Sequence, residues 1–227
     1  MIYYILYELI YGNFKDKEWY LVKALNVFQY VTFRTAYASI TALLLSLVFG
    51  GKLIEALRKW NIGQQIREEG PQAHMAKRGT PTMGGVLIVG SVIISTLLWA
   101  KLSSVYVWTI MFATLGFAAI GFFDDHAKMA KQRSLGLTGR QKLLAQLVIA
   151  IGVWAVLYIS TKYWASDYSW NVSIPFLKAT AETSSAGVSY IGPFLYLGFI
   201  VIVLLGFSNG VNLTDGLDGL AISVTFI

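Results

Sequence analysis

Two adjacent aspartates, Asp124 and Asp125, come directly after an uncharged run of 22 residues, 102–123. If that run is a helix that ends at the pair, both carboxylates sit where the backbone already carries partial negative charge. Two like charges side by side also disfavour each other's ionisation. A cation should therefore compensate, and Mg²⁺, which prefers carboxylate oxygens, is the candidate. The structural alternative is a solvated acidic pair bridged to Lys128.

Two further aspartates, Asp215 and Asp218, lie in the string SNGVNLTDGLDGLA at 208–221, and a glycine follows each of them. A spacing of three places both carboxylates on one face if the segment is helical. Asn212 is a capping residue type, so we expect a helix to begin here with the carboxylates near its N-terminus, where they are favoured. The structural alternative is an Asx turn with a helix cap.

A third polar string, HMAKRGTPTMGG, occupies 74–85 and contains Lys77, Arg78 and Pro81. Proline suits the first turn of a helix, because its missing N–H costs nothing there. Unpaired N–H groups at a helix start, with two cations beside them, favour an anion. The alternative is a capped helix whose basic residues anchor it at the cytoplasmic side of a membrane.

The three polar segments lie beside long uncharged runs of the chain, and the elements that these runs form must hold them in place. The runs cover 35–51, 79–100, 102–123, 143–161 and 183–214. A helix that crosses hydrocarbon needs ~20 apolar residues. We therefore predict five transmembrane helices at about 30–50, 82–100, 105–123, 143–160 and 190–209, with Arg34 snorkelling at the start of the first. The segment 1–28 is aromatic, contains Glu8 and lacks a basic start, so we expect it at the membrane interface rather than as a signal peptide.

Composition supports a membrane protein and excludes several other classes. Of 227 residues, 56% are apolar and 13% are charged, against ~25% charged in soluble domains. The absence of cysteine rules out disulfides, thiolate metal sites and a cysteine nucleophile, and two histidines cannot build a histidine-rich metal cage. The predicted fold is an all-α polytopic integral membrane protein with one transmembrane domain, 1–227. Its helical core at 30–227 has about five complete helices and the start of a sixth.

The basic residues indicate the orientation. Six fall in 51–81 and five in 124–142, whereas 101–104 holds one and 161–189 holds two. Since basic loops stay cytoplasmic, the first and third connections are predicted inside and the other two outside. All four aspartates, together with Lys77, Arg78, Lys128 and Lys142, then share the cytoplasmic face. An acidic cluster with lysines at a membrane surface is suited to metal-assisted phosphate transfer in which one substrate is a lipid.

The strings HMAKRGTPTMGG, GFFDDHAK and NGVNLTDGLDGLA together resemble the phospho-N-acetylmuramoyl-pentapeptide transferase (MraY) family. The resemblance extends from about residue 27 to the end of the chain. It implies transfer of phospho-MurNAc-pentapeptide from a UDP carrier to undecaprenyl phosphate, giving lipid I and UMP in the first membrane step of peptidoglycan synthesis. It also implies Mg²⁺ as cofactor, the bacterial inner membrane as location and a homodimer, with no nucleic-acid partner.

The resemblance also assigns residue roles. Asp124 and Asp125 match the catalytic pair, of which either would deprotonate the lipid phosphate or form an aspartyl-phosphate, and Asp125 is assigned as the metal ligand. Six further positions are implied as substrate contacts: Lys77, Thr82, Lys128, Asn212, Asp215 and Asp218.

Two alternatives stay open on the residues. One is a sibling enzyme that moves a phospho-N-acetylhexosamine to the polyprenyl phosphate. The other is a non-catalytic membrane scaffold or a transporter fragment. A transporter should carry charged residues near the midplane of its helices, whereas these acids lie at the ends of uncharged runs. Family members are longer, so we expect this chain to be an N-terminal portion, inactive by itself because later acidic and His-rich loops are missing.

Overall fold

The computed structural model describes residues 1–14, 20–59, 83–130, 136–163, 168–173 and 188–214. These residues are predominantly helical, which confirms the predicted all-α membrane class. Five long helices follow one another: α1 (Val31–Lys59), α2 (Gly85–Trp99), α3 (Val105–Ala130), α4 (Gly139–Tyr163) and α5 (Gly192–Thr214). All except α2, a shorter apolar helix of 15 residues, are long and apolar enough to cross a membrane.

Each predicted transmembrane segment corresponds to one of these helices, but three helices run well past their predicted ends. α1 continues to Lys59, α3 to Ala130 and α5 to Thr214. The lengths of the uncharged runs reflect the thickness of hydrocarbon. Backbone hydrogen bonding does not stop at the membrane surface, and in α1 and α3 charged helix formers such as Lys extend the helix beyond the uncharged run.

The chain divides into two compact units, residues 1–138 and 139–227. In the first unit α1 packs on α2, and two polar contacts link them. Ser46 Oγ donates to Ser91 Oγ at 3.2 Å, and Trp99 Nε1 donates to Thr41 Oγ1 at 3.0 Å. Bonds between hydroxyls in apolar helices add modestly to packing.

The N-terminal segment is helical and packs against the end of α2. Tyr4–Tyr11 forms a π-helix along which the rings of Tyr3, Tyr7 and Tyr11 stack. Three short helical pieces, Gly12–Phe14, Tyr20–Ala24 and Leu25–Gln29, lead to α1. The amino group of Met1 donates to the Leu97 and Leu98 carbonyls at 2.7 and 3.1 Å. Its position at a membrane interface stays a prediction.

In the second unit α4 packs against α5. Its core contains Ala150, Leu157, Trp170 and Ile200, and Trp154 Nε1 donates to the Pro193 carbonyl at 2.7 Å. Between the helices, strands β1 (Asn171–Ser173) and β2 (Val188–Tyr190) pair antiparallel, with Asn171 opposite Tyr190. The predicted single transmembrane domain stays a prediction.

Candidate functional site

The acidic pair lies within α3 and not at its end. The helix continues from Asp125 to Ala130, so the expectation that it ends at the pair is wrong. The reason is local: Lys128 lies in the last turn, three and four residues after the two aspartates, and these spacings bring its ammonium next to both. A cation is also favoured in the last turn of a helix.

Lys128 bridges both carboxylates. Its Nζ lies 2.7 Å from Asp124 Oδ2 and 3.0 Å from Asp125 Oδ1. The Asp124 side chain is 19% exposed, whereas those of Asp125 and Lys128 are each 37% exposed. The bridged pair named above as the structural alternative is thus present. An ion pair this close to water is worth little to stability, so the contact chiefly orients the two carboxylates.

Asp124 has a second set of contacts that the sequence did not indicate. The backbone N–H of Leu137 donates to Asp124 Oδ1 at 2.8 Å. Gly136 lies against the same residue: a Cβ at this position would fall 2.6 Å from the Asp124 carbonyl oxygen and would collide with Oδ1. The only available signal was a glycine after the basic residues that follow α3, which by itself indicates no contact.

Asp125 lines a cleft between α2 and α3. The cleft has a volume of about 650 Å³ and is otherwise apolar, with lining that includes Val86, Ile93, Leu115 and Phe122. Met83 borders it with a φ of 70°, in the left-handed region that few non-glycine residues adopt. A Cβ on Gly84 or Gly85 would meet nothing within 4 Å, so the backbone at the start of α2 is open.

Asn212 lies in the last turn of α5, in the second unit. Asn212 does not cap a new helix, because α5 continues to Thr214, whose Oγ1 donates to the Val211 carbonyl at 2.8 Å. The expected helix start that carries Asp215 and Asp218 lies outside the described residues. Residues 208–214 are part of the helix, whereas the sequence predicted a helix cap in this segment.

A buried polar network holds this end of α5 to α4, and it was not predicted. Gln146 is fully buried. Its Nε2 donates to Ser208 Oγ at 3.1 Å, and its Oε1 accepts from Asn209 Nδ2 at 2.7 Å. A glutamine inside the uncharged run 143–161 was the available signal, because an amide in an apolar helix needs a partner.

Four of the predicted site residues, Lys77, Thr82, Asp215 and Asp218, lie outside the described residues. The structure therefore brings together Asp124, Asp125 and Lys128, and the gathering of all three strings at one face stays a prediction. Among the described ranges no cluster of three or more His, Asp or Glu side chains is present. Two adjacent carboxylates remain as possible metal ligands.

Comparison with known proteins identifies the family. The model of glycosyl transferase family 4 matches residues 107–227, more than half of the chain. Residues 77–89 match the phospho-N-acetylmuramoyl-pentapeptide-transferase signature 1.

Curated relatives agree with these matches. Phospho-N-acetylmuramoyl-pentapeptide-transferases from Koribacter versatilis and Solibacter usitatus are 46% and 45% identical to this chain over all of its length. The enzyme of the same name from Desulfatibacillum aliphaticivorans is 48% identical over 87% of the chain. The chain spans 60%, 59% and 51% of these three relatives, respectively. The chain therefore belongs to glycosyl transferase family 4 and is similar to phospho-N-acetylmuramoyl-pentapeptide-transferases.

Proposed function

We propose that this chain belongs to a transferase that moves phospho-MurNAc-pentapeptide from UDP-MurNAc-pentapeptide to undecaprenyl phosphate, giving lipid I and UMP. The proposal depends above all on the oriented acidic pair in the C-terminal part of α3, beside an apolar cleft. The match of residues 77–89 to a pentapeptide-transferase signature favours this substrate over other sugar phosphates. The relatives' names point the same way.

The two carboxylates are suited to different tasks. Asp125 is the more exposed of the two and borders the apolar cleft, where an isoprenoid phosphate would approach from the bilayer. In the proposed reaction Asp125 takes the proton of the lipid phosphate. The resulting oxygen attacks the sugar-linked phosphorus, and the phosphoanhydride bond to UMP breaks with its electron pair leaving on UMP.

Asp124 and Lys128 position and balance the charge. Asp124 is held by the Leu137 N–H and by Lys128, so its carboxylate is fixed in one orientation. Lys128 is near enough to both aspartates to neutralise phosphate charge that accumulates as two anionic substrates meet. The rival route, in which an aspartate itself forms a covalent phosphate intermediate, requires the same orientation.

The pair also fits a magnesium ion. Mg²⁺ commonly binds through one or two carboxylates together with substrate phosphates and water, and the half-exposed Asp125 offers such a ligand. When bound, the ion would neutralise phosphate oxygens. We further propose Lys77 and Thr82 at the nucleotide-sugar site, and Asn212, Asp215 and Asp218 as substrate contacts. The setting we propose is the cytoplasmic face of the bacterial inner membrane, in a homodimer.

The test is release of UMP from UDP-MurNAc-pentapeptide in the presence of a polyprenyl phosphate and Mg²⁺. The assay would use this chain and a chimera in which the C-terminal remainder of the Koribacter versatilis enzyme follows residue 227. We expect UMP release that depends on Mg²⁺ and that UDP-GlcNAc does not support. Absence of UMP release from both proteins contradicts the proposal.

Substitutions at the acidic pair test whether UMP release depends on this site. In whichever protein releases UMP, Asp125→Asn should lower the rate at least ~100-fold, because general acid–base groups contribute 10²–10⁴-fold. The matched control is Glu55→Gln, which neutralises an exposed acidic residue on α1 and should leave the rate unchanged. A rate retained in Asp125→Asn would favour a non-catalytic role for the pair.

A further inference from the structure

A second cavity in the first unit is lined by α1, α2, the turn that follows α2 and the first turn of α3. It has a volume of about 550 Å³ and lies where α1 begins and α2 ends, whereas the acidic pair lies near the end of α3. Its walls are largely apolar and include Val31, Trp99 and Val107. Arg34 and Lys101 also line it and bring two positive charges to it.

Two residues that line this cavity each carry a buried polar atom without a hydrogen-bond partner within the described part of the chain. The atoms are Arg34 Nε and the Oγ of Ser95, a residue only 2% exposed. Burial of a donor without a partner is costly, and nearly all buried polar groups in folded proteins are bonded. Because both residues line the same cavity, their unmet hydrogen-bonding capacity lies beside it.

The orientation of Arg34 suits it to bind an anion. Its guanidinium carbon lies 4.3 Å from the centre of the Tyr3 ring, so one face of the group rests on an aromatic ring. A guanidinium donates its hydrogen bonds in its own plane, and stacking leaves those edges available. Arginine within a membrane helix otherwise needs a partner or a functional reason.

Aromatic side chains pack together beside this cavity. The rings of Phe28, Phe33, Tyr37 and Trp99 pack together at this end. The turn that carries Lys101 is closed by the Ser104 N–H, which donates to the Lys101 carbonyl at 3.0 Å. Side chains that are already held by packing lose less entropy when a ligand binds.

We propose that this cavity binds the phosphate of an anionic membrane lipid, with Arg34 and Lys101 at the phosphate and the lipid's apolar portion along the α1–α2 walls. Apolar walls with cations at one end match an amphiphile with a negative head. The volume lies within the ~300–1,000 Å³ range of small-molecule pockets. The distribution of basic residues among the loops predicts that this cavity lies at the outer face of the membrane. The proposed reaction would take place at the opposite, cytoplasmic face.

The experiment is native mass spectrometry of the 227-residue chain taken from bilayers of equal phosphatidylglycerol and phosphatidylcholine. We expect about one retained phosphatidylglycerol per chain and little phosphatidylcholine. Arg34→Gln should lower that retention about tenfold, the effect of one lost charged hydrogen bond. Arg58→Gln makes the same charge change on an exposed position at the other end of α1 and should retain lipid as the wild type does.

Two further variants, Ser95→Ala and Lys101→Gln, test the proposal independently in case the arginine variant misfolds. With helical circular dichroism at the wild-type level, each should also reduce phosphatidylglycerol retention. Equal retention of both lipids by the wild type, or unchanged retention in all three variants, overturns the proposal. Displacement of the lipid by millimolar inorganic phosphate would overturn the lipid as ligand, because a soluble anion would then suffice.

Discussion

At the residue scale, Asp124 and Asp125 are chain neighbours in unequal surroundings. Asp124 is the more buried and accepts from the backbone N–H of Leu137, whereas Asp125 borders the apolar cleft. Two carboxylates in different environments can divide acid–base and positioning work between them. Lys128 contacts both, so a change at Lys128 affects the orientation of the pair as well as its charge.

Gly136→Ala tests whether the close approach to Asp124 matters. The added methyl group would overlap Asp124 Oδ1, and the segment or the aspartate must then move. Overpacking of this kind costs about 1–3 kcal/mol. We expect a lower unfolding temperature in detergent and, in the UMP-release assay, a lower rate. Gly139→Ala is the matched control, since a Cβ there meets nothing within 4 Å; equal effects of the two substitutions would contradict the prediction.

At the scale of elements, a buried amide on α4 bridges to the C-terminal part of α5, in addition to the apolar core and the Trp154–Pro193 hydrogen bond. Gln146 both donates to α5 and accepts from it, two turns or less before the end of that helix. Asn212 follows Asn209 by three residues on the same helix. The bridge therefore fixes the position of Asn212 relative to α4, although neither Gln146 nor Asn209 was among the predicted site residues.

Gln146→Leu removes both hydrogen bonds of this bridge and replaces the glutamine with a side chain of similar size. Hydrogen bonds between membrane helices contribute about 0.6 kcal/mol on average and up to ~1.7 kcal/mol. We expect a loss in that range, measured by unfolding in SDS titration. Arg140→Leu, at an exposed position in the first turn of α4, is the control and should have little effect. If both variants unfold at the same SDS fraction, the bridge adds nothing to stability.

At the scale of the whole molecule, loop charges predict how the chain lies in the membrane. The connection between α2 and α3 carries one basic residue, and the residues 124–142 carry five. Such asymmetry sets orientation during insertion. The acidic pair would then face the cytoplasm, and the cavity at Arg34 would face the other side.

The orientation can be tested cleanly because the chain has no cysteine. Ser103→Cys and Thr138→Cys place single thiols in exposed positions of the two connections. A membrane-impermeant maleimide added to spheroplasts should label Cys at 103, and Cys at 138 only after lysis. The reverse pattern would invert the topology and move the acidic pair outside.

The sequence by itself determined the class of the molecule and the location of its candidate site. Uncharged runs near the length of a membrane span predict helices on composition alone, and the adjacent aspartates with Lys128 are visible as a short-range pattern. Only the tertiary structure could show which side chains contact each other and where each helix ends. In the structure α3 continues past the pair, Gly136 lies against Asp124, Gln146 bonds to α5, and Arg34 and Ser95 line one cavity. Most of these contacts join residues distant in the chain, so they arise from packing, which local periodicity does not encode.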